Sequence, residues 1–325
     1  MNRKAALLFV AASVIWGSSF LLIRVAVRDI SPAALVFART VLGAAFLAPI
    51  ALRHRAFHGL RRKIPAVVAL TMLNMCVPIF LTAWAEQHIV SSATGILIAT
   101  DPLFTALLAL WLFRAEAVTR RQLAGLVLGF TGVVALLGLD FSTQIAALLG
   151  AGAVLLSAAG YAASALLYRR WLPNAPALGV SSLMMLFSCA VFALPAAADL
   201  PRHMPGMTSL LALVTLGIVN TGLLSWVYFA LVREAGAAVT SLITYVVPVV
   251  ALVLGVSLLG ETLTTGAVVG LVVIASGTWL ATSTRRPRLD RQAAEARTGV
   301  VWEYPPWEGP LRPGPDRAQP APRDS

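Results

Sequence analysis

Asp101 stands ten residues into an uninterrupted apolar stretch, residues 91–113. Helical rise places its carboxylate ~15 Å from either end of that stretch. A charge at that depth in hydrocarbon costs ~2.5–3.5 kcal/mol on the insertion scale, so an intramembrane acid is ordinarily kept for function. Pro102 follows at once. It has no N–H to give the carbonyl of Ile98 and opens the helix locally. The chemistry this permits is carriage of a coupling proton or contact with a cationic group of a substrate. Arg39 lies seven residues into the stretch 32–52, which runs in the same direction and brings it ~10 Å deep. Two readings stay open for it: an ion pair with Asp101 through its long side chain, or contact with a substrate carboxylate.

Other polar groups lie in apolar surroundings. Asn74, in the stretch 64–85, and Asn220 with Thr221, in the stretch 209–232, need partners that a cavity would provide. Trp16, Trp84, Tyr161, Trp226, Tyr228 and Tyr245 each join an apolar ring to a polar handle, which suits interfaces, cores and ligand pockets alike. Of these, Trp16, Tyr228 and Tyr245 are the wall candidates. Glu116 and Glu261 close apolar stretches, and each is followed three residues later by Thr. That spacing fits capping and hairpin turns, or a pair of gates. Glu86 and His88 end the third stretch, either titrating as a pair or simply solvated at the interface.

Catalytic and metal-binding patterns are missing. His54, His58, His88 and His203 lie in or beside connections and make no ligand set, and Cys76 and Cys189 sit in apolar runs as small hydrophobes. There is no HExxH, GxSxG, Walker A or dinucleotide fingerprint. Neither a cofactor nor a metal is expected, and a proton is the candidate coupling ion.

The elements that must position these groups follow from composition. Charged residues are 12% of 325 and hydrophobic residues 58%, where soluble domains carry ~25% charge. Ten apolar stretches of spanning length occur, residues 5–27, 32–52, 64–85, 91–113, 123–139, 145–168, 177–197, 209–232, 237–259 and 266–282. Backbone polar groups in lipid must pair internally, so these are read as ten transmembrane helices of an all-α polytopic membrane protein. With the N-terminus inside, 21 of the 25 Lys+Arg fall on the cytoplasmic side and only Arg28 and Arg202 outside. This bias places both termini in the cytoplasm. The +11 charge is therefore a topology signal facing lipid headgroups, with no nucleic-acid partner. Residues 285–325, with eight prolines and few aliphatics, read as a disordered cytoplasmic tail.

A repeat organises the remainder. Glu116, Thr119, Gly125 and Gly132 recur as Glu261, Thr264, Gly270 and Gly277 at an offset of 145, and Pro102 recurs as Pro248 at 146. Residues 1–140 and 141–284 thus form two halves of five spans each. An odd number of spans turns the second copy over in the membrane, the inverted arrangement of many secondary transporters. Pro102 and Pro248 are the expected hinges. Glycines spaced i, i+4 at Gly125/Gly129 and Gly266/Gly270 offer close-packing faces, within one chain or between the protomers of a homodimer.

Taken together, these residues resemble the ten-helix EamA branch of the drug/metabolite transporter superfamily. The resemblance rests on Ile15-Trp16-Gly17-Ser18-Ser19-Phe20, Ser31-Pro32, Phe37-Ala38-Arg39, and the units running from Pro102 to Thr119 and from Pro248 to Thr264. It implies two EamA repeats and a central cavity for a small-molecule substrate, while an Arg:Lys ratio of 23:2 points to a bacterial source and so to the bacterial inner membrane. Arg39 matches the family's second-span arginine. The expected function is secondary active export or exchange, by alternating access, of an amino acid or amphipathic drug-like compound. The alternatives are an intramembrane enzyme, which needs paired catalytic groups at one depth, and a receptor or scaffold acting through the tail.

Overall fold

Apolar runs this long satisfy their backbone groups by coiling, and the described residues contain helices and no strand. The computed structural model describes residues 2–113, 119–140, 145–199 and 203–282. Glu116 and the tail 285–325 lie outside them. The helices are α1 (Arg3–Ala26), α2 (Pro32–Arg53), α3 (Ile64–Thr71), α4 (Val77–Ala85), α5 (Ser91–Ile98), α6 (Asp101–Phe113) and α7 (Arg120–Asp140). They continue as α8 (Ile145–Trp171), α9 (Ala177–Ala198), α10 (Met207–Gly217), α11 (Leu224–Thr240), α12 (Ile243–Leu259) and α13 (Thr265–Thr282). Their starts follow local rules. Asn2 accepts the Ala5 N–H at 2.8 Å to cap α1, and Ser31 with Pro32 behind it opens α2.

Among the described residues, nine helical stretches are long and apolar enough to cross a membrane, and α12 is a shorter apolar helix of 17 residues. Three of the runs expected as single helices are interrupted. A five-residue π turn, Met72–Cys76, joins α3 to α4, and a six-residue one, Ile218–Leu223, joins α10 to α11. The fourth run breaks at Ala99–Thr100, directly before Asp101 and Pro102. A further break lies inside α11 at Gly236, whose φ of 78° and ψ of 165° are open to glycine but strained for other residues. It falls where the sequence divides the eighth stretch from the ninth.

Met1–Thr284 form one compact unit in which the two halves interleave. α1 packs on α10 and α11 of the other half, and α8 packs in return on α4. Contacts of α1 with α12 are matched by those of α8 with α5 and α6, while α2–α9, α5–α12 and α7–α13 are their own counterparts. Each pairing keeps its partner when the halves are exchanged, as a two-fold relation requires. α7 and α13 approach most closely through glycine. A Cβ on Gly277 would stand 2.8 Å from the Gly125 carbonyl oxygen, against backbone that cannot give way. The glycine faces of these two helices are thus used within the chain.

Candidate functional site

The π turns bring the site together. A π segment leaves its backbone in i→i+5 register, is rare, and recurs at functional positions. Here the two segments hold Asn74 and Asn220, which are related by the same offset of 146 as the two prolines. Thr221 Oγ1 donates to the Leu216 carbonyl five residues back, at 2.8 Å. Asn74, Asn220 and Thr221 line a cavity of about 140 Å³, together with Trp16, Ser19, Tyr161 and Arg39. Trp16 and Tyr161 are also repeat equivalents, 145 residues apart. An aromatic pair and an amide pair therefore face one space from both halves.

Asn220 is tightly held. Its Nδ2 donates to Ser18 Oγ at 3.1 Å, Ser19 Oγ at 3.0 Å and the Ile15 carbonyl, while its Oδ1 is buried without a partner. These contacts explain the polar run Gly17-Ser18-Ser19 in the middle of α1: it grips the π turn of the opposite half.

Charge breaks the symmetry. Arg39 is only 9% exposed, and its Nε donates to Thr221 Oγ1 at 2.7 Å. The second half carries Met184 or Met185 at the corresponding place. Asp101 accepts from Thr105 Oγ1 at 3.3 Å and has Val247, next to Pro248, as its counterpart. Arg39 and Asp101 form no ion pair; among the described residues the salt bridge is Lys4–Glu234, at 2.8 Å. Asp101 instead lines a separate recess of about 20 Å³ with Thr244, Val247 and Pro248. Trp16 and Ile98 border both spaces. Pro102 and Pro248 deny an i+4 donor to Ile98 and Thr244 respectively, so two of the recess residues have backbone carbonyls released from the helical ladder. Pro102 adjoins a real break, whereas Pro248 sits inside α12.

Other expected residues fall elsewhere. Tyr228 meets Trp16 edge-on, with ring centroids 6.4 Å apart, behind the cavity wall. Tyr245 lies within 3.1 Å of Thr282 Oγ1 and ties α12 to α13. Trp226 is half exposed. Glu261 does cap a helix, but a distant one: its carboxylate accepts from Ser91 N–H at 2.7 Å, Ser91 Oγ at 2.8 Å and Ser92 N–H at 3.0 Å, at the start of α5. Glu116 lies outside the described residues. Glu86 is fully buried, so interfacial solvation does not describe it, and His88 turns away to stack on Trp84 at 4.4 Å. The spacing of Asn74 and Asn220, and of Trp16 and Tyr161, was available in the sequence as an extension of the repeat; the π geometry was not.

Comparison with known proteins agrees with this architecture. The EamA-like transporter family matches the chain twice, at residues 3–138 and 148–283. The probable terminal-alkyne amino-acid exporter of Streptantibioticus cattleyicolor is 31% identical, covering 85% of this chain and 93% of its own. The probable amino-acid metabolite efflux pump of Salmonella typhimurium is 26% identical over 86% and 95% of the two chains. An uncharacterized inner membrane transporter of Escherichia coli is 27% identical over 78% and 82%. A solved crystal structure shares the fold with a TM-score of 0.62 at 21% identity, covering 87% of this chain and 98% of that one. The relatives' names are those of transporters and efflux pumps, which removes the intramembrane-enzyme alternative. With two family matches that span nearly all of residues 3–283, the chain belongs to the EamA-like transporter family.

Proposed function

We propose that this transporter exports or exchanges a small amino acid by alternating access, with Arg39 receiving the substrate carboxylate. The observation that carries this is a buried guanidinium on a central cavity with no acid paired to it among the described residues. A buried cation costs several kcal/mol unless an anion meets it, and a guanidinium presents a planar fork suited to a carboxylate. Asn74 and Asn220 flank that position, and Trp16 and Tyr161 offer faces to an apolar or ammonium group. The cavity's 140 Å³ is comparable with the roughly 150 Å³ that admits a benzene ring, a scale that favours a small solute. The names of the Salmonella and Streptantibioticus relatives support the amino-acid class.

In this reading ten spans form two inverted repeats in the bacterial inner membrane, with both termini cytoplasmic. The break at Ala99–Thr100 supplies a bending point beside Pro102, and the break at Gly236 a second one in the other half. Asp101, in its recess behind Trp16, exchanges the coupling proton as the cavity changes sides. The test is solute counterflow in proteoliposomes, comparing amino acids with the amines left when their carboxylate is removed. Amines should exchange roughly a hundredfold less well. Equal exchange of both, or exchange of no small solute, would overturn the proposal.

A further inference from the structure

Glu86 lies in the turn between α4 and α5, at the end of the bundle that the positive-inside count places outside. The sequence leaves Glu86 either titrating with His88 or solvated at the interface, and the fold encloses it: Glu86 is 0% exposed, and neither carboxylate oxygen has a hydrogen-bond partner. The basic group within reach, Arg24 of α1, donates its Nη1 to the backbone carbonyl of Glu86 rather than to the carboxylate. Glu261, arriving from the connection after α12, adds a second acid to the same neighbourhood. Its two oxygens are fully engaged by three donors at the start of α5, which also sets it against the positive end of a helix dipole. Glu261 thus has donors on both oxygens and Glu86 has none, and a buried carboxyl without donors beside another acid favours its protonated form.

The surrounding groups reinforce this division. His88 is occupied in its own turn, its Nδ1 within 2.9 Å of the Trp84 carbonyl. Beyond Arg24, α1 leads to Arg28 and Asp29, and Asp29 is bound by Ser209 Oγ at 2.7 Å and the Gly206 N–H at 3.0 Å. The part of α8 against this turn, residues 145–152, has no titratable side chain, and neither has α5. Desolvation pushes the Glu86 carboxyl well above the ordinary glutamate range; Arg24 pulls the other way and Glu261 adds to the rise.

We propose that Glu86 is a proton-binding site separate from Asp101, occupied while this end of the bundle is closed and emptied when it opens. Opening admits water, ionises the carboxyl and lets Arg24 turn from the backbone carbonyl to the carboxylate. The site thus makes opening sensitive to the pH of the compartment it faces. Its link to solute movement rests on the transporter reading, but its protonation does not.

The test uses the purified full-length chain in lipid vesicles and needs no solute. Infrared difference spectra between acid and alkaline buffers report the carbonyl stretch of protonated carboxyls. Because Asp101 contributes to the same region, the comparison is Asp101→Asn against Asp101→Asn with Glu86→Gln. The second substitution should abolish a band present at neutral pH. As a second measure, Glu86→Gln copies the protonated form and should match the wild type in melting temperature at acid pH. A raised folded-state pKa stabilises below the unfolded value and loses that contribution as pH rises through the folded one. The wild type should therefore lose more stability toward alkaline pH than the Gln protein, which lacks this one ionisation. An unchanged infrared band, or a Gln protein that melts well below the wild type at acid pH, would overturn the proposal. Either result would leave the counterflow test of transport untouched.

Discussion

Arg39→Met separates binding from folding. The second repeat already carries methionine at the corresponding position, Met184 or Met185 by either offset, so the scaffold accommodates that side chain. On the stability side, a buried ion costs several kcal/mol of desolvation, and the bond from Nε to Thr221 returns only about 1.5–3 kcal/mol. Removing the cation orphans nothing, because the Thr221 hydroxyl keeps its own bond to the Leu216 carbonyl. The Met protein should gain about 1 kcal/mol or more and melt higher in detergent. On the binding side, a carboxylate brought into the cavity without its partner loses about 3–5 kcal/mol. At 1.4 kcal/mol per decade that is roughly a hundred- to several-thousand-fold in affinity. Arg39→Lys keeps the charge without the fork and should fall between the two. The assays are concentration-dependent counterflow in proteoliposomes and thermal unfolding of the same preparations. Apparent affinity within about threefold of the wild type, or a lower melting temperature for the Met protein, would show that Arg39 is a structural group and that the carboxylate site is misplaced.

Two further outcomes concern the scaffold. Glu261→Ala strips the start of α5 of acceptors for Ser91 N–H, Ser91 Oγ and Ser92 N–H and should cost about 1–3 kcal/mol. Glu261→Gln keeps an acceptor and should cost less, a ranking that thermal melting will establish. Gly277→Ala drives a methyl into the backbone of α7. It should destabilise by at least the ~1–3 kcal/mol typical of overpacking, seen as a lower melting temperature and poorer recovery of monodisperse protein.

Much of this arrangement is written locally and is legible for that reason. Spans follow from apolar length. Arg39 and Asp101 stand out because charge in such surroundings is expensive. What escapes is whatever depends on chain segments far apart meeting. Nothing near Thr221 announces that it will hold Arg39, 182 residues away, and nothing in the spacing of Glu261 and Thr264 tells that the acid will cap α5 in the other half. Glu86 misleads for the same reason: the end of an apolar run is normally wet, and the packing of α1 and α8 and the arrival of Glu261 enclose it. The π turns have no residue signature of their own. Their one trace is the recurrence of Asn74 as Asn220, which becomes meaningful once the two are seen across a shared cavity.

Uphill transport is the most direct measurement. Proteoliposomes containing the wild-type chain and an exchanged amino acid are given a pH gradient, and accumulation above the equilibrium level is followed alongside counterflow. With Arg39 binding the solute and Asp101 carrying the proton, the wild type should concentrate the amino acid and lose that ability when the gradient is collapsed. Asp101→Asn should retain counterflow but only equilibrate the solute. Uphill accumulation that persists in Asp101→Asn would contradict the coupling role, and a wild type that neither accumulates nor exchanges any amino acid would contradict the transport mechanism as a whole.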